Sequence, residues 1–160
     1  MMGRLFREGS LGKKILVAVV TLTVGFIFTQ SLLPQSVSGE ESAAVSGWLA
    51  SIFPVTTPLG GFIAANVRKI AHFVEFGAFG LELALFLILY AENKRKSFVA
   101  VLLAGFFTAF IDETLQIFSG RGPSVADVWL DYSGFLTFFA LTLAVRLLFK
   151  IIEERRKNVG

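Results

Sequence analysis

Ten residues of types that bind ligands or carry protons lie in two short polar stretches of an otherwise apolar chain. One stretch opens an apolar run, and the other lies between two such runs. An Asp at the centre of a membrane helix costs about 2.5–3.5 kcal/mol on an insertion scale, so residues placed like this are usually turned inward and tied to function. We therefore predict that the two stretches meet in one ligand-binding site. Its candidate residues are Arg68, Lys69, His72, Glu75, Asp112, Glu113, Gln116, Arg121, Asp127 and Asp131.

The spacing of these residues divides them into three sets, each of which lies along one side of a predicted helix. Lys69, His72 and Glu75 recur at every third position, which keeps them on one slowly drifting face. Glu82 falls on the same face, about 10 Å deeper at 1.5 Å per residue. Two further pairs share a face through their i, i+4 spacing: Asp112 with Gln116, and Asp127 with Asp131.

The charges of this region do not balance. Six carboxylates, counting Glu82, stand against three fixed cations, so full ionisation would leave a net charge of −3. A low-dielectric site does not hold such an imbalance uncompensated. Ion pairs of Arg121 or Lys69 with neighbouring carboxylates would offset part of it, and such a network could serve only to lock the helices in register. Protonated carboxyls, a protonated His72, a divalent metal ion or a cationic ligand group would offset the rest. The expected partners of the cations are Asp112, Glu113 and Asp127.

The single histidine has two interpretations. His72 is either a hydrogen-bonded structural partner or, with Glu75 one turn away, a metal ligand or proton carrier. The chain has no HExxH zinc motif, no nucleophile elbow, no P-loop and no glycine-rich nucleotide loop. It also has no cysteine, which excludes disulfides and thiolate metal sites. No cofactor therefore follows from a motif, and a divalent metal ion stays one option.

Composition indicates the elements that must position these residues. The chain of 160 residues is 54% hydrophobic, and its apolar residues come in blocks long enough to cross a bilayer as helices. We predict an all-α membrane protein, a four-helix bundle that forms one domain over residues 1–160 without a soluble part. The net charge of +3 is too small to indicate nucleic-acid binding. The predicted spans are 15–33, 67–91, 98–118 and 128–149.

Two segments outside these spans carry predictions of their own. Residues 34–66 contain no Lys or Arg, and we expect a short interfacial helix over about 42–53 on the outer face, with an ordinary ordered loop as the alternative. Ser124 is the predicted N-cap of the last helix, with Asp127 three residues on. The basic start before the first span also fits a secretory signal cleaved near Ser38, but the run is longer than a signal core, so a retained anchor is favoured.

The distribution of basic residues predicts the orientation. With the N-terminus inside, 12 of the 15 Lys and Arg residues fall on the inner side. By the positive-inside rule both termini are cytoplasmic, and the polar residues lie in the outer leaflet. The three outer cations are Arg68, Lys69 and Arg121.

Three motifs in order resemble the VanZ-like family over about residues 67–140. They are Arg68-Lys69-x-x-His72-Phe73-x-Glu75-Phe76, then Asp112-Glu113-x-x-Gln116-x-Phe118-x-Gly120-Arg121, then Asp127-x-x-x-Asp131-x-x-Gly134. The resemblance implies a small bacterial inner-membrane protein of four or five helices. Its name-giving member is associated with low-level resistance to the lipoglycopeptide teicoplanin, and the family has no settled reaction.

Two functions lead on these residues, ahead of proton- or ion-coupled transport and of a purely structural partner protein, and binding is favoured over catalysis. In the first, an outer-leaflet pocket holds a lipid-linked envelope component or an amphiphilic lipoglycopeptide, with the cations on phosphate or carboxylate and the acids on amines or amides. Occupancy alone would then give low-level resistance. In the second, an intramembrane enzyme, with or without a metal ion, acts on a lipid or cell-wall precursor, with Glu113 or Asp112 as general base or metal ligand. Membrane lipids are the expected partners in both.

Overall fold

Five α-helices and no strand make up the part of the chain that the structure, a computed structural model, describes: residues 11–159. Four of them, all but the second, are long and apolar enough to cross a membrane. The predicted all-α fold with four membrane-spanning helices is therefore confirmed. The basic start before the first predicted span lies outside the described residues over 1–10, which include Arg4 and Arg7. The helices are α1 (Leu11–Leu32), α2 (Gln35–Ile52), α3 (Pro58–Tyr90), α4 (Lys94–Leu115) and α5 (Val125–Val159).

The helix that contains the second predicted span is longer than that span. Helix α3 begins at Pro58 instead of Val67, because Thr57 caps it by accepting a hydrogen bond from the Gly60 amide at 3.1 Å. Proline suits the first helical position, where its missing N–H has no helical partner to lose. Gly60-Gly61, which the sequence marks as a helix break, lies inside α3. Thus α3 carries the first polar stretch further along the helix and not at its start.

The remaining helix ends also depart from the apolar runs. Helix α2 starts directly after Pro34 and has no buried residue, and α4 is capped by the Asn93 side chain at the Lys96 amide. Helix α4 ends at Leu115, and the chain then turns through Gly120, whose φ of +74° favours glycine. Helix α5 continues through the charged residues 153–157, because these are good helix formers.

Helices α3 and α5 form the centre of the bundle and cross at glycines. A Cβ atom at Gly80 would lie under 3.0 Å from the Phe135 carbonyl oxygen, and one at Gly134 would come equally close to the Phe73 carbonyl oxygen. Small residues let membrane helices approach backbone to backbone, where packing replaces the missing hydrophobic driving force. The crossing therefore fixes the distance between the two helices that carry His72 and Asp131.

A row of aromatic side chains on α5 connects this crossing to α4. The ring of Phe135 stacks on Tyr132 and on Phe139, in both cases with centroids 5.8 Å apart and planes 11° apart. Phe135 is fully buried, and its ring fills the space beside Gly105 of α4. One side chain thus holds α5 against both α3 and α4, the three helices that carry the polar residues.

Candidate functional site

A buried His–Asp–Asp cluster lies where α3, α4 and α5 meet. His72 Nδ1 lies 3.5 Å from Asp131 Oδ1 and 3.8 Å from Asp112 Oδ2. The Asp112 side chain is fully buried and that of Asp131 is 1% exposed, whereas His72 is 15% exposed. The two polar stretches therefore meet, as the spacing predicts, with one helix contributing each residue.

Helix α1 completes the surroundings of Asp112. The Ser31 hydroxyl, itself fully buried, donates a hydrogen bond to Asp112 Oδ1. The other oxygen, Oδ2, accepts a long hydrogen bond of 3.4 Å from Gln116 Nε2. Hydrogen bonds from neighbouring helices offset the desolvation of a buried carboxyl. Asp112 thus joins α1 to the cluster.

Gln116 connects the acidic and basic residues of the site. Its Nε2 donates to Glu113 Oε1 at 2.6 Å, and its Oε1 accepts from Arg68 Nη2 at 3.0 Å. The second oxygen of Glu113 accepts from the Ser124 amide at 2.8 Å. Ser124 lies directly before α5, as predicted, and its carbonyl accepts from the amides of Asp127 and Val128. The predicted capping box with Asp127 does not form, because Glu113 accepts from the Ser124 amide. Glu113 therefore fixes the turn between α4 and α5 and holds the positive end of α5 in place.

Arg121 binds the end of α1. Its Nη2 donates to the carbonyl oxygens of Gln30 and Leu33, at 2.7 and 2.9 Å. The Gln30 oxygen also accepts from the Leu33 amide at 3.3 Å, so Arg121 is its second donor. Carbonyl groups at a helix end lack the regular i+4 donor of the helix interior. Burial lowers the pKa of the Arg121 guanidinium, and neighbouring Arg68 lowers it further, against the opposite effect of Asp112 and Glu113. An arginine nevertheless stays charged in a protein.

This arrangement corrects the predicted ion-pair network. Within residues 11–159, the ion pairs are those of His72 with the two aspartates and an exposed Lys150–Glu154 pair at 3.8 Å. The predicted pairing of Arg121 or Lys69 with carboxylates is therefore wrong. Instead, the Arg121 guanidinium donates to carbonyl oxygens of α1, and Asp112 and Glu113 accept from Ser31, Gln116 and the Ser124 amide.

Two cavities adjoin the cluster. The first has a volume of about 320 Å³ and lies between α3, the α4–α5 turn and the start of α5. The second has a volume of about 440 Å³ and lies between α1, α2 and α3. They share Val67, Arg68, His72 and Arg121, so the two arginines stand in the partition between them.

The predicted site residues are distributed over the buried cluster and the walls of the two cavities. Asp112 lies behind His72 and is not part of either wall, while Glu75 lines only the second cavity. Glu82 faces elsewhere on α3, where its Oε1 accepts from the Thr23 hydroxyl of α1 at 2.7 Å. The other eight predicted residues line the first cavity: Arg68, Lys69, His72, Glu113, Gln116, Arg121, Asp127 and Asp131.

The contribution of α1 was missed by sequence reasoning. Ser31, Thr23 and the carbonyl of Gln30 each satisfy a buried polar group on another helix or turn. The available signal was their presence as polar interruptions of an otherwise apolar run. Hydroxyl side chains recur at helix interfaces in membranes, because there they find partners that lipid cannot supply.

Comparison with known proteins identifies the family. A family model described as VanZ/LLP1 matches residues 15–149, which includes all the residues of both cavities. It is the family that the three sequence motifs resemble. No curated protein and no solved structure matches the chain.

Proposed function

This chain belongs to the VanZ/LLP1 family, and we propose that it binds the anionic headgroup of an amphiphilic cell-envelope molecule in the outer leaflet of a bacterial membrane. The ligand class is a lipid-linked envelope component or an amphiphilic lipoglycopeptide. These share an anionic group attached to a long apolar chain. Binding, without chemical change of the ligand, is the proposed activity.

Three cations that line one cavity carry this proposal, because none of them pairs with a carboxylate within residues 11–159. Arg68 and Arg121 donate hydrogen bonds to neutral oxygens, and Lys69 is exposed at the cavity wall. In the part of the chain that the structure describes, the buried Nε of Arg121 has no hydrogen-bond partner. Guanidinium groups bind phosphate and carboxylate through charge-assisted hydrogen bonds. An anionic headgroup in the first cavity would supply a charged acceptor for these three cations.

The second cavity suits the apolar part of such a ligand. Its wall includes apolar residues of three helices, and it shares the two arginines with the first cavity. Binding pockets commonly pair an apolar lining with a few placed polar groups. We therefore place the headgroup in the first cavity and the proximal part of the chain in the second. The apolar residues concerned are Phe26, Ala44, Val45, Val67 and Ala71.

The acidic residues favour a ligand that also has donors. Asp127 and Asp131 line the first cavity together with the cations. Hydroxyl or amine groups of a sugar or a glycopeptide would donate to them. Retention of a lipoglycopeptide in this cavity would keep it from its target, which would account for low-level teicoplanin-type resistance by occupancy alone.

The hydrogen bonds of the acids favour binding over the enzymatic alternative. That alternative assigns the general base to Glu113 or Asp112. Each oxygen of both carboxylates already accepts a hydrogen bond from a protein donor. A general base must instead reach the proton that it abstracts from a substrate. A substrate proton would therefore compete with the hydrogen bonds that hold Asp112 and Glu113 in place.

Replacing Arg68 with glutamine tests the proposal. The protein is purified in mild detergent, and native mass spectrometry identifies the molecules that stay bound. We expect Arg68→Gln to lower occupancy about tenfold or more, because one charge-assisted hydrogen bond is worth about 1.5–3 kcal/mol. Arg95→Gln, which removes an exposed arginine at the start of α4, should leave occupancy unchanged. Wild-type protein that carries no amphiphile, or equal occupancy in both variants, would contradict the proposal.

Added ligands separate the two ligand sources. A polyprenyl-phosphate-linked sugar and a teicoplanin-type lipoglycopeptide are each titrated into delipidated protein, with a neutral polyprenol as the control. Binding of only the phosphate-linked sugar would assign an envelope lipid. Binding of only the lipoglycopeptide would assign the antibiotic as the ligand. Recovery of a cleaved product in either titration would favour the enzyme.

We also propose that both termini are cytoplasmic, which places the cavities near the outer surface. The absence of cysteine allows single-cysteine labelling without background. Pro123→Cys, in the α4–α5 turn, should react with a membrane-impermeant maleimide in intact cells, or in spheroplasts where an outer membrane blocks the reagent. Glu92→Cys, in the α3–α4 link, should react only after lysis. Both positions are exposed at the protein surface, so the side of the membrane on which each lies decides whether it reacts. The reverse pattern would overturn the orientation.

A further inference from the structure

Asp131 is a buried carboxyl without a hydrogen-bond donor. Its side chain is 1% exposed, and among the described residues neither Oδ1 nor Oδ2 has a hydrogen-bond partner. A buried polar group left without a partner costs about 1–3 kcal/mol, and more when it is charged. Such a group needs an explanation, and a bound ion is one of those known for buried polar groups. In this case the carboxyl faces His72 and the first cavity.

The separations within the cluster match those of ligands around one metal ion. Two ligands each about 2.1 Å from a tetrahedral centre lie about 3.4 Å apart. His72 Nδ1 is 3.5 and 3.8 Å from one oxygen of each aspartate, and all three candidate ligand atoms lie within 4.8 Å of one another. Small side-chain movements would therefore bring all three to bonding distance.

We propose that His72, Asp112 and Asp131 bind a divalent cation of the zinc class through His72 Nδ1 and one oxygen of each carboxylate. Imidazole and carboxylate are ligands that zinc accepts. Two carboxylates with a neutral imidazole carry a charge of −2, which one divalent ion neutralises. Ser31 positions the site, because its bond to Asp112 Oδ1 turns Oδ2, which also accepts the long bond from Gln116, toward His72.

A protonated His72 between the two aspartates is the competing explanation. A single N–H on Nδ1 can point at only one carboxylate oxygen at a time, and both distances, 3.5 and 3.8 Å, exceed the usual 2.7–3.2 Å of an N–H···O bond. That arrangement leaves Asp131 without a well-formed hydrogen bond. The cation satisfies both carboxylates together.

The cation site goes beyond the proposed function, and of its three ligands only Asp131 also has a proposed contact with the headgroup. His72 and Asp131 line the first cavity, so a metal ion with three protein ligands would keep an open position on the cavity side. That position could accept a phosphate or carboxylate oxygen of the headgroup. The test below uses metal ions alone, so its failure and failure of amphiphile binding are separate results.

Zinc titration of the full chain in detergent tests the site. After dialysis against a chelator, isothermal titration calorimetry with Zn²⁺ and elemental analysis should give one equivalent per chain. Asp131→Asn and His72→Gln should each weaken binding at least about 100-fold, and the positioning variant Ser31→Ala about 10-fold. Co²⁺ gives a visible spectrum that should change in His72→Gln, which a purely structural role would not produce.

Glu82→Gln is the matched control. Glu82 is a buried carboxyl on α3, the helix of His72, but it accepts a hydrogen bond from Thr23 outside the cluster. The zinc affinity of the Glu82→Gln variant should therefore equal that of the wild type. The proposal is overturned if wild-type protein binds no stoichiometric zinc, if Asp131→Asn and His72→Gln retain wild-type affinity, or if Glu82→Gln weakens binding as much as they do. Thermal unfolding of each variant identifies those that fold, and His72→Gln, at a partly exposed position, provides the result if Asp131→Asn does not.

Discussion

Replacing Gly134 with alanine is expected to lower the free energy of unfolding by about 2–3 kcal/mol, the upper range for forcing extra atoms into a packed interior. The added Cβ would lie under 3.0 Å from the Phe73 carbonyl oxygen, closer than real Cβ contacts come. The atom that it meets belongs to the backbone of α3, which cannot rotate away as a side chain can. The helices must therefore separate, which also moves Asp131 away from His72.

Gly25→Ala is the matched control for this prediction. Gly25 lies in α1, and a methyl group added there would meet no atom within 4 Å, so the substitution should be neutral or stabilise the helix by up to about 1 kcal/mol. Thermal or denaturant unfolding in detergent measures the stability of the Gly134→Ala and Gly25→Ala variants. Gly80→Ala, on the other side of the crossing, should repeat the Gly134 effect, and the double variant should not form a monodisperse protein. An unchanged Tm for Gly134→Ala would mean that α3 and α5 do not pack through this crossing.

Replacing Arg121 with glutamine is expected to destabilise the protein by about 2–4 kcal/mol and to abolish amphiphile retention. The loss of stability follows from two carbonyl oxygens at the end of α1, those of Gln30 and Leu33, which lose a charged donor in a partly buried position. The loss of binding follows from removal of a cation shared by both cavities. Arg68→Gln, by comparison, should lose binding with a smaller change in stability, because the hydrogen bond of Arg68 goes to the Gln116 side chain.

Unfolding in detergent and native mass spectrometry together check this prediction. Arg146→Gln, at an exposed position of α5, serves as the control and should change neither quantity. Arg121→Lys keeps the charge but lacks the planar guanidinium, so it should recover part of the stability and little of the phosphate binding. Full stability in Arg121→Gln would show that α1 packs without this contact. Retained amphiphile would remove Arg121 from the proposed binding site.

The sequence was sufficient for the fold class, because length and hydropathy of a membrane helix are local properties. It was less informative about helix ends. The apolar run of α3 begins at Val67, yet Thr57 and Pro58 begin the helix earlier, and no continuous apolar run marks that start. Similarly, the charged residues after Phe149 continue α5 because helix propensity does not depend on hydrophobicity.

Within the candidate site, helical spacing predicted which residues share a face but not which partners they meet. His72 and Asp131 come together as expected from their positions on facing helices. Arg121 instead binds backbone carbonyls, groups that every residue possesses and no sequence pattern marks. The role of Ser31 was equally hard to predict, because a single hydroxyl in an apolar helix can bond to its own backbone, to another helix or to a buried acid. Contacts between helices depend on rotation about each axis, and that angle follows from the glycine crossing and the packing of Phe135.

The contribution of α1 has a consequence for biosynthesis. As the ribosome delivers the chain to the membrane, Glu82 enters after Thr23, Asp112 after Ser31, and Asp131 after His72. Each of these acids therefore reaches the bilayer when a polar partner from an earlier helix is already there. Because an isolated Asp at mid-membrane costs about 2.5–3.5 kcal/mol on insertion, this order lets each helix offset its charge on arrival. We expect the helices to leave the translocon one after another instead of waiting for the complete bundle.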